Sequence, residues 1–119
     1  MTYTPLAYTQ DVEIIETSTF TKQIVALLSD EDYARFQVRL AANPEEGAII
    51  RGSGGVRKVR IAARSRGKRG GARIIYYWAV ANDLILFLYA YPKNETADLT
   101  PKQVALLAKV VREEFGNES

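Results

Sequence analysis

The sequence predicts an α+β domain: a small antiparallel sheet with a helical hairpin before it and one helix after it. Three observations carry that expectation. Two apolar stripes of helical spacing occupy the first third of the chain with almost nothing between them, which implies an antiparallel helical hairpin. Three strand-like runs, residues 56–64, 72–80 and 84–91, follow with only loops between them, as a meander requires. A last amphipathic stretch opens on Thr100-Pro101-Lys102-Gln103. It offers a capping threonine, proline at the first helical position and a glutamine three residues on from the cap.

The 119 residues fit one domain spanning 1–119 and leave little for a second core. A hydrophobic content of 47% with 25% charged residues suits a globular chain and not a disordered one. Residues 1–10 (MTYTPLAYTQ) are polar and weakly patterned, and are expected to form a loose arm. Val12-Glu13-Ile14-Ile15-Glu16 reads as a short strand. Thr17 and Ser18 can cap a first helix whose stripe is Phe20, Ile24, Leu27 and Leu28. Ser29 caps the second, with Asp30, Glu31 and Asp32 in its first turn, where acids complement the helix dipole. Tyr33, Phe36, Val38 and Leu40 make its expected buried face, and Asn43-Pro44 stops it.

Glu45-Glu46-Gly47 forms the turn out, and Gly52-Ser53-Gly54-Gly55 is a flexible or tight approach to the sheet. Within 56–64, alternation sends Lys58, Arg60, Ala62 and Arg64 to one face and Val59, Ile61 and Ala63 to the other. Residues 65–71 (SRGKRGG) are a basic, glycine-rich loop. In the next strand Ile74, Tyr76 and Trp78 oppose Arg73, Ile75 and Tyr77. Both sets are largely apolar, as in a central strand covered on each side; Tyr76 and Trp78 are expected in the core. Asn82-Asp83 makes a hairpin turn. Beyond it Leu84, Leu86, Leu88 and Ala90 oppose Ile85, Phe87, Tyr89 and Tyr91. The last helix has Val104, Leu107, Val111 and Phe115 as its stripe and Gly116 at its close. There is no internal repeat.

The net charge is only +2, yet nine of the sixteen basic residues lie between Arg51 and Tyr77, and no acid occurs between Glu46 and Asp83. Apolar residues at strand spacing thread through that charge, so the segment reads as a folded sheet with a basic surface, and a polyanion is its natural partner. The chain has no cysteine and no histidine. Disulfides, thiolate metal sites and the usual general base are therefore excluded. No metal or cofactor is expected. The opening lacks a secretory signal, and the most apolar run, residues 84–90, is too short to span a bilayer. A cytoplasmic protein with no membrane partner is expected.

Three uses of such a surface remain open from the residues alone. It can be a merely solvated face; a binding module for phosphates and stacked bases; or a ribonuclease built without histidine or metal. The last is chemically feasible. Cleavage by the 2′-hydroxyl needs in-line positioning, a proton acceptor, charge stabilisation at phosphorus and a donor to the leaving oxygen. Lysine, arginine and tyrosine can fill these roles.

The run GSGGVRKVRIAARSRGKRGGARIIYY, followed by Tyr91-Pro92-Lys93-Asn94-Glu95 and Asp98-Leu99-Thr100-Pro101-Lys102-Gln103, resembles the HigB branch of the RelE toxin superfamily from about Tyr33 to the C-terminus. The resemblance implies a RelE-like fold and the toxin of a type II toxin–antitoxin system, a ribosome-dependent endoribonuclease that cuts messenger RNA in the ribosomal A site. It implies two partners, a HigA-like, DNA-binding antitoxin and the ribosome carrying its message. It implies no direct binding of DNA by the toxin alone.

By the same resemblance, Lys58 and Arg60 stand where relatives contact the scissile phosphate, and Arg73 where an arginine stabilises it. Tyr91 or Lys93 would supply the leaving-group proton, because Asn94 and Leu99/Thr100 replace the arginine and tyrosine of relatives. Arg57, Arg64, Arg66, Lys68, Arg69, Tyr77, Tyr89, Asn94 and Glu95 are expected to contact RNA or the ribosome. Among these Glu95 is expected to orient Lys93 or an arginine by ion pairing.

Overall fold

In a computed structural model, residues 2–3, 12–62, 71–92 and 99–115 are described. The strands are β1 (Thr2–Tyr3), β2 (Glu13–Glu16), β3 (Ala48–Ile49), β4 (Arg57–Ile61), β5 (Ala72–Ala79) and β6 (Leu84–Pro92); the helices are α1 (Ser18–Leu27), α2 (Asp30–Ala42) and α3 (Pro101–Phe115). They form an α+β fold around a single sheet in the order β1-β2-β6-β5-β4-β3.

The meander β4-β5-β6 is antiparallel throughout. The sheet as a whole is not, because β2 lies parallel to β6, pairing Glu13 with Leu84 and Glu16 with Phe87. A parallel neighbour needs a long crossover, here the whole chain between β2 and β6. The start of the expected loose arm also joins the sheet, with Thr2 opposite Ile15 and Tyr3 opposite Ile14. Residues 4–10 lie outside the described residues.

Local chemistry sets the helix ends. Thr17 Oγ1 accepts from the amide of Phe20 at 3.1 Å, and Ser29 Oγ accepts from that of Asp32 at 3.1 Å. Each hydroxyl satisfies one orphan donor of a first turn. At α3 the box closes both ways: the Gln103 amide donates to Thr100 Oγ1 at 3.1 Å and the Thr100 amide to Gln103 Oε1 at 2.8 Å. Only Leu28 and Ser29 separate α1 from α2.

The sheet buries apolar side chains on both faces. Against α1 and α2 lie Ile14, Val59, Ile61, Ile74, Tyr76, Ile85 and Phe87. Phe87 is the hub there, with ring centroids of Phe20, Phe36, Tyr33 and Tyr76 at 4.9, 5.8, 6.2 and 6.4 Å. Val38 is not part of this face. It is half-buried, and Gln37 and Ala41 take the buried positions beside Phe36 and Leu40, as a 3.6-residue period through Phe36 and Leu40 demands. On the other face Val56, Ile75, Leu86, Leu88 and Tyr91 cluster with Val111 of α3, with Tyr77 and, from α3, Leu107 and Phe115 at the margin. Trp78 is half-buried against the first core.

Candidate functional site

The turn before β4 is tight, not flexible. Gly52 and Gly54 take φ of +80° and +77°, values that favour glycine. Between them the buried Ser53 donates to Ile50 O at 2.6 Å and accepts from the Val56 amide at 2.9 Å. A side chain thus stands in for a backbone turn and delivers the chain into β4 in fixed register. From there the alternation of β4 decides which cations meet. Val59 and Ile61 enter the core under the helices, so Lys58 and Arg60 point to the α3 side of the sheet.

Register brings the other members to the same face. Arg60 is the direct partner of Arg73 and Lys58 that of Ile75; across the next ladder Arg73 faces Tyr91 and Ile75 faces Tyr89. Two rows therefore cross three strands: Arg60–Arg73–Tyr91, and beside it Lys58–Ile75–Tyr89. Directly opposed side chains on one sheet face have Cβ atoms about 4.5–5.5 Å apart. Arg60 is exposed, while Lys58 and Arg73 are half-buried. The three cations share a hollow of about 160 Å³ with Ala48 and Val59. Opposed like charges on one sheet face repel, so Arg60 and Arg73 concentrate positive charge at this spot. Positive charge gathered in a hollow attracts anions.

Tyr89 and Tyr91 reach this face through a β-bulge. Tyr76 pairs with Phe87 but Ile75 pairs with Tyr89, so Leu88 is an extra residue, and each side chain beyond it changes sides relative to strict alternation. The expectation that Tyr89 and Tyr91 share a face with Ile85 and Phe87 is therefore corrected: both stand with Leu84 and Leu86. Tyr91 is 6% exposed, and its hydroxyl is buried with no hydrogen-bond partner among the described residues. Its ring lies 5.9 Å from that of the half-buried Tyr89.

Arg57 and Tyr77 do not join the rows. Arg57 lies on the opposite face, where its Nη1 donates to Gly47 O at 2.8 Å and Glu45 O at 3.1 Å, bracing the turn after α2. The parity of β4 already implied this, since Arg57 alternates with Lys58. Tyr77 shares the face of Arg73 but stacks on Phe115 at 5.2 Å, beneath the end of α3. Arg64, Arg66, Lys68, Arg69, Lys93, Asn94 and Glu95 lie outside the described residues. Ala48, a wall of the hollow, escaped the sequence reading because nothing marks a two-residue edge strand.

Below the site, Tyr76 is fully buried and ties β5 to the turn after α2. Its hydroxyl donates to Pro44 O at 2.7 Å and accepts from the Gly47 amide at 2.9 Å. A Cβ on Gly47 would sit 2.8 Å from that oxygen and 2.9 Å from Lys58 O, so only glycine fits there. Burial raises the phenol above its usual range, partly offset by the Gly47 amide and Arg57, while Glu46 adds to the rise.

Among the described residues no helix is long and apolar enough to cross a membrane. Compared with known families, residues 14–117 match the one described as the RelE toxin of the RelE / RelB toxin-antitoxin system. That match spans nearly the whole chain, including every strand of the cation rows and all three helices, and a toxin of such a system pairs with an antitoxin. The chain belongs to the RelE toxin family.

Proposed function

We propose that this chain is a HigB-type toxin that enters the A site of the translating ribosome and cuts the message there, and that a HigA-like antitoxin holds it in check. The reaction is attack of a ribose 2′-oxygen on the adjacent phosphorus, with the 2′-hydroxyl proton passing to solvent water as the new P–O bond forms. The P–O5′ bond breaks, leaving a 2′,3′-cyclic phosphate on one fragment and a 5′-hydroxyl on the other. Lys58, Arg60 and Arg73 hold the negative charge that grows on the non-bridging oxygens, the preorganised stabilisation that contributes most in reactions of this kind. A lysine ammonium, Lys58 in the rows or Lys93 just past β6, protonates O5′. The half-buried ring of Tyr89 is a platform for a base.

The observation that supports this reading is the register: Arg60 directly opposite Arg73, with Lys58 lining the same hollow. A second reading, a member that occupies ribosome or antitoxin without cutting, is favoured by the buried hydroxyl of Tyr91. Mapping message ends on programmed ribosomes separates the two. Cleavage predicts codon-positioned ends bearing 2′,3′-cyclic phosphate, formed with ribosomes and not on naked message. A stalled but intact message contradicts it.

Tyr91→Phe is expected to cut within about twofold of wild type and to raise stability by about 1 kcal/mol, since its hydroxyl is buried with no partner among the described residues and such a group costs on that order. Here the ring, not the hydroxyl, is the useful part. Thermal melting and the same end-mapping assay check it; abolished cleavage in this variant would make the phenol the proton donor.

A further inference from the structure

We propose that Gln23, on α1 and thus on the opposite side of the sheet, is a positioning residue for the tyrosines of the site. This rests on the cleavage reading above for its functional consequence, and on geometry for the rest. The extra residue Leu88 is what turns Tyr89 and Tyr91 toward Arg73. Without it Ala90 would face Arg73 and both rings would turn under the helices, because a one-residue slip exchanges the two faces of a strand.

The bulge falls where β6 loses its outer neighbour. The last pair between β2 and β6 is Glu16 with Phe87, and the chain then leaves the sheet for α1. Residues of β6 beyond Phe87 would present open backbone groups along that edge, each costly if buried unpaired. The helix start supplies the missing partners. The Thr17 amide donates to Phe87 O at 3.0 Å, Thr17 Oγ1 donates to Leu88 O at 3.1 Å, and the Ala90 amide donates to Gln23 Oε1 at 2.8 Å. Two side chains thus bracket the bulge, one at the extra residue and one two residues on.

Their other duties differ. Thr17 is also the cap of α1, so replacing it damages the helix as well as the bulge. Gln23 is half-buried, and its contact with Ala90 selects the bulged register over the slipped one.

The test is Gln23→Met, which keeps the length and removes the acceptor, beside Gln23→Glu, which keeps an acceptor. Should the methionine variant fail to fold, Gln23→Asn, one methylene short of Ala90, carries the same test. Three quantities are read: single-turnover cleavage on programmed ribosomes at saturating toxin, ribosome binding, and hydrogen exchange of the Ala90 amide. The expected result for Gln23→Met is a cleavage rate lower by about 10- to 100-fold, the penalty of displacing a positioned group by about 1 Å. Binding through the cations stays unchanged, Ala90 exchanges faster, and Gln23→Glu restores rate and protection together.

Cleavage equal to wild type in Gln23→Met overturns the proposal. So does a loss that merely follows the unfolded fraction, or no rescue by Gln23→Glu. If wild type never cuts, the cleavage reading fails by itself. The role of Gln23 is then decided by Ala90 exchange and by NMR contacts of the Tyr91 ring with the α3-side core that holds it, which Gln23→Met must lose and Gln23→Glu regain.

Discussion

Replacing Arg60 by alanine is expected to lower cleavage on programmed ribosomes by about 100- to 1000-fold, the usual cost of deleting one preorganised donor at a developing oxyanion. The fold should not suffer. Arg60 is exposed and directly faces Arg73 across β4 and β5, so its removal relieves a like-charge contact. A melting temperature unchanged or slightly higher, with activity nearly gone, is the signature expected of a residue kept for its charge. A variant that melts much lower and loses activity in proportion would instead make Arg60 a structural brace. Single-turnover rates and thermal melts on one preparation read both quantities.

The largest expected effect on stability is at Tyr76. Tyr76→Phe leaves the Gly47 amide and the Pro44 carbonyl without the hydroxyl they share, at a cost of about 2 kcal/mol or more. It also removes a dependence on pH. Burial raises this phenol in the folded protein, whereas in the unfolded chain it titrates near the ordinary value of about 10. Below pH ~10 both states keep the proton and the contribution is fully present. As pH rises toward the folded value, the unfolded chain releases its proton first and stability is lost. Denaturant melts between neutral pH and about pH 11 should therefore fall less steeply in Tyr76→Phe than in wild type. Parallel slopes would contradict the assignment.

Much of this architecture could be read from local residue chemistry. The caps at Thr17, Ser29 and Thr100 are satisfied within three residues, so short windows reveal them. The two-sided apolar pattern of 72–79 identified a strand covered on both faces, and alternation in β4 put Lys58 and Arg60 together.

What could not be read depends on distant partners. Parallel pairing of β2 with β6 is fixed only when helices and meander are in place. The bulge at Leu88 has no glycine or proline to announce it. Its groups are satisfied by Thr17 and Gln23, 71 and 67 residues away in sequence from the positions they hold. Arg57 shows the opposite lesson: its charge suggested the anion site, while its parity within β4 pointed to the other face.

At the centre stands one physical claim, that Arg60 and Arg73, brought face to face by strand register, act on a single phosphate of the message. Single-turnover cleavage of a defined A-site codon by Arg60→Ala, Arg73→Ala and the double variant measures it most directly. Groups that serve the same charge are strongly non-additive, so the double variant should be little slower than the worse single one. Losses that multiply, or single variants that cut like wild type, would contradict it.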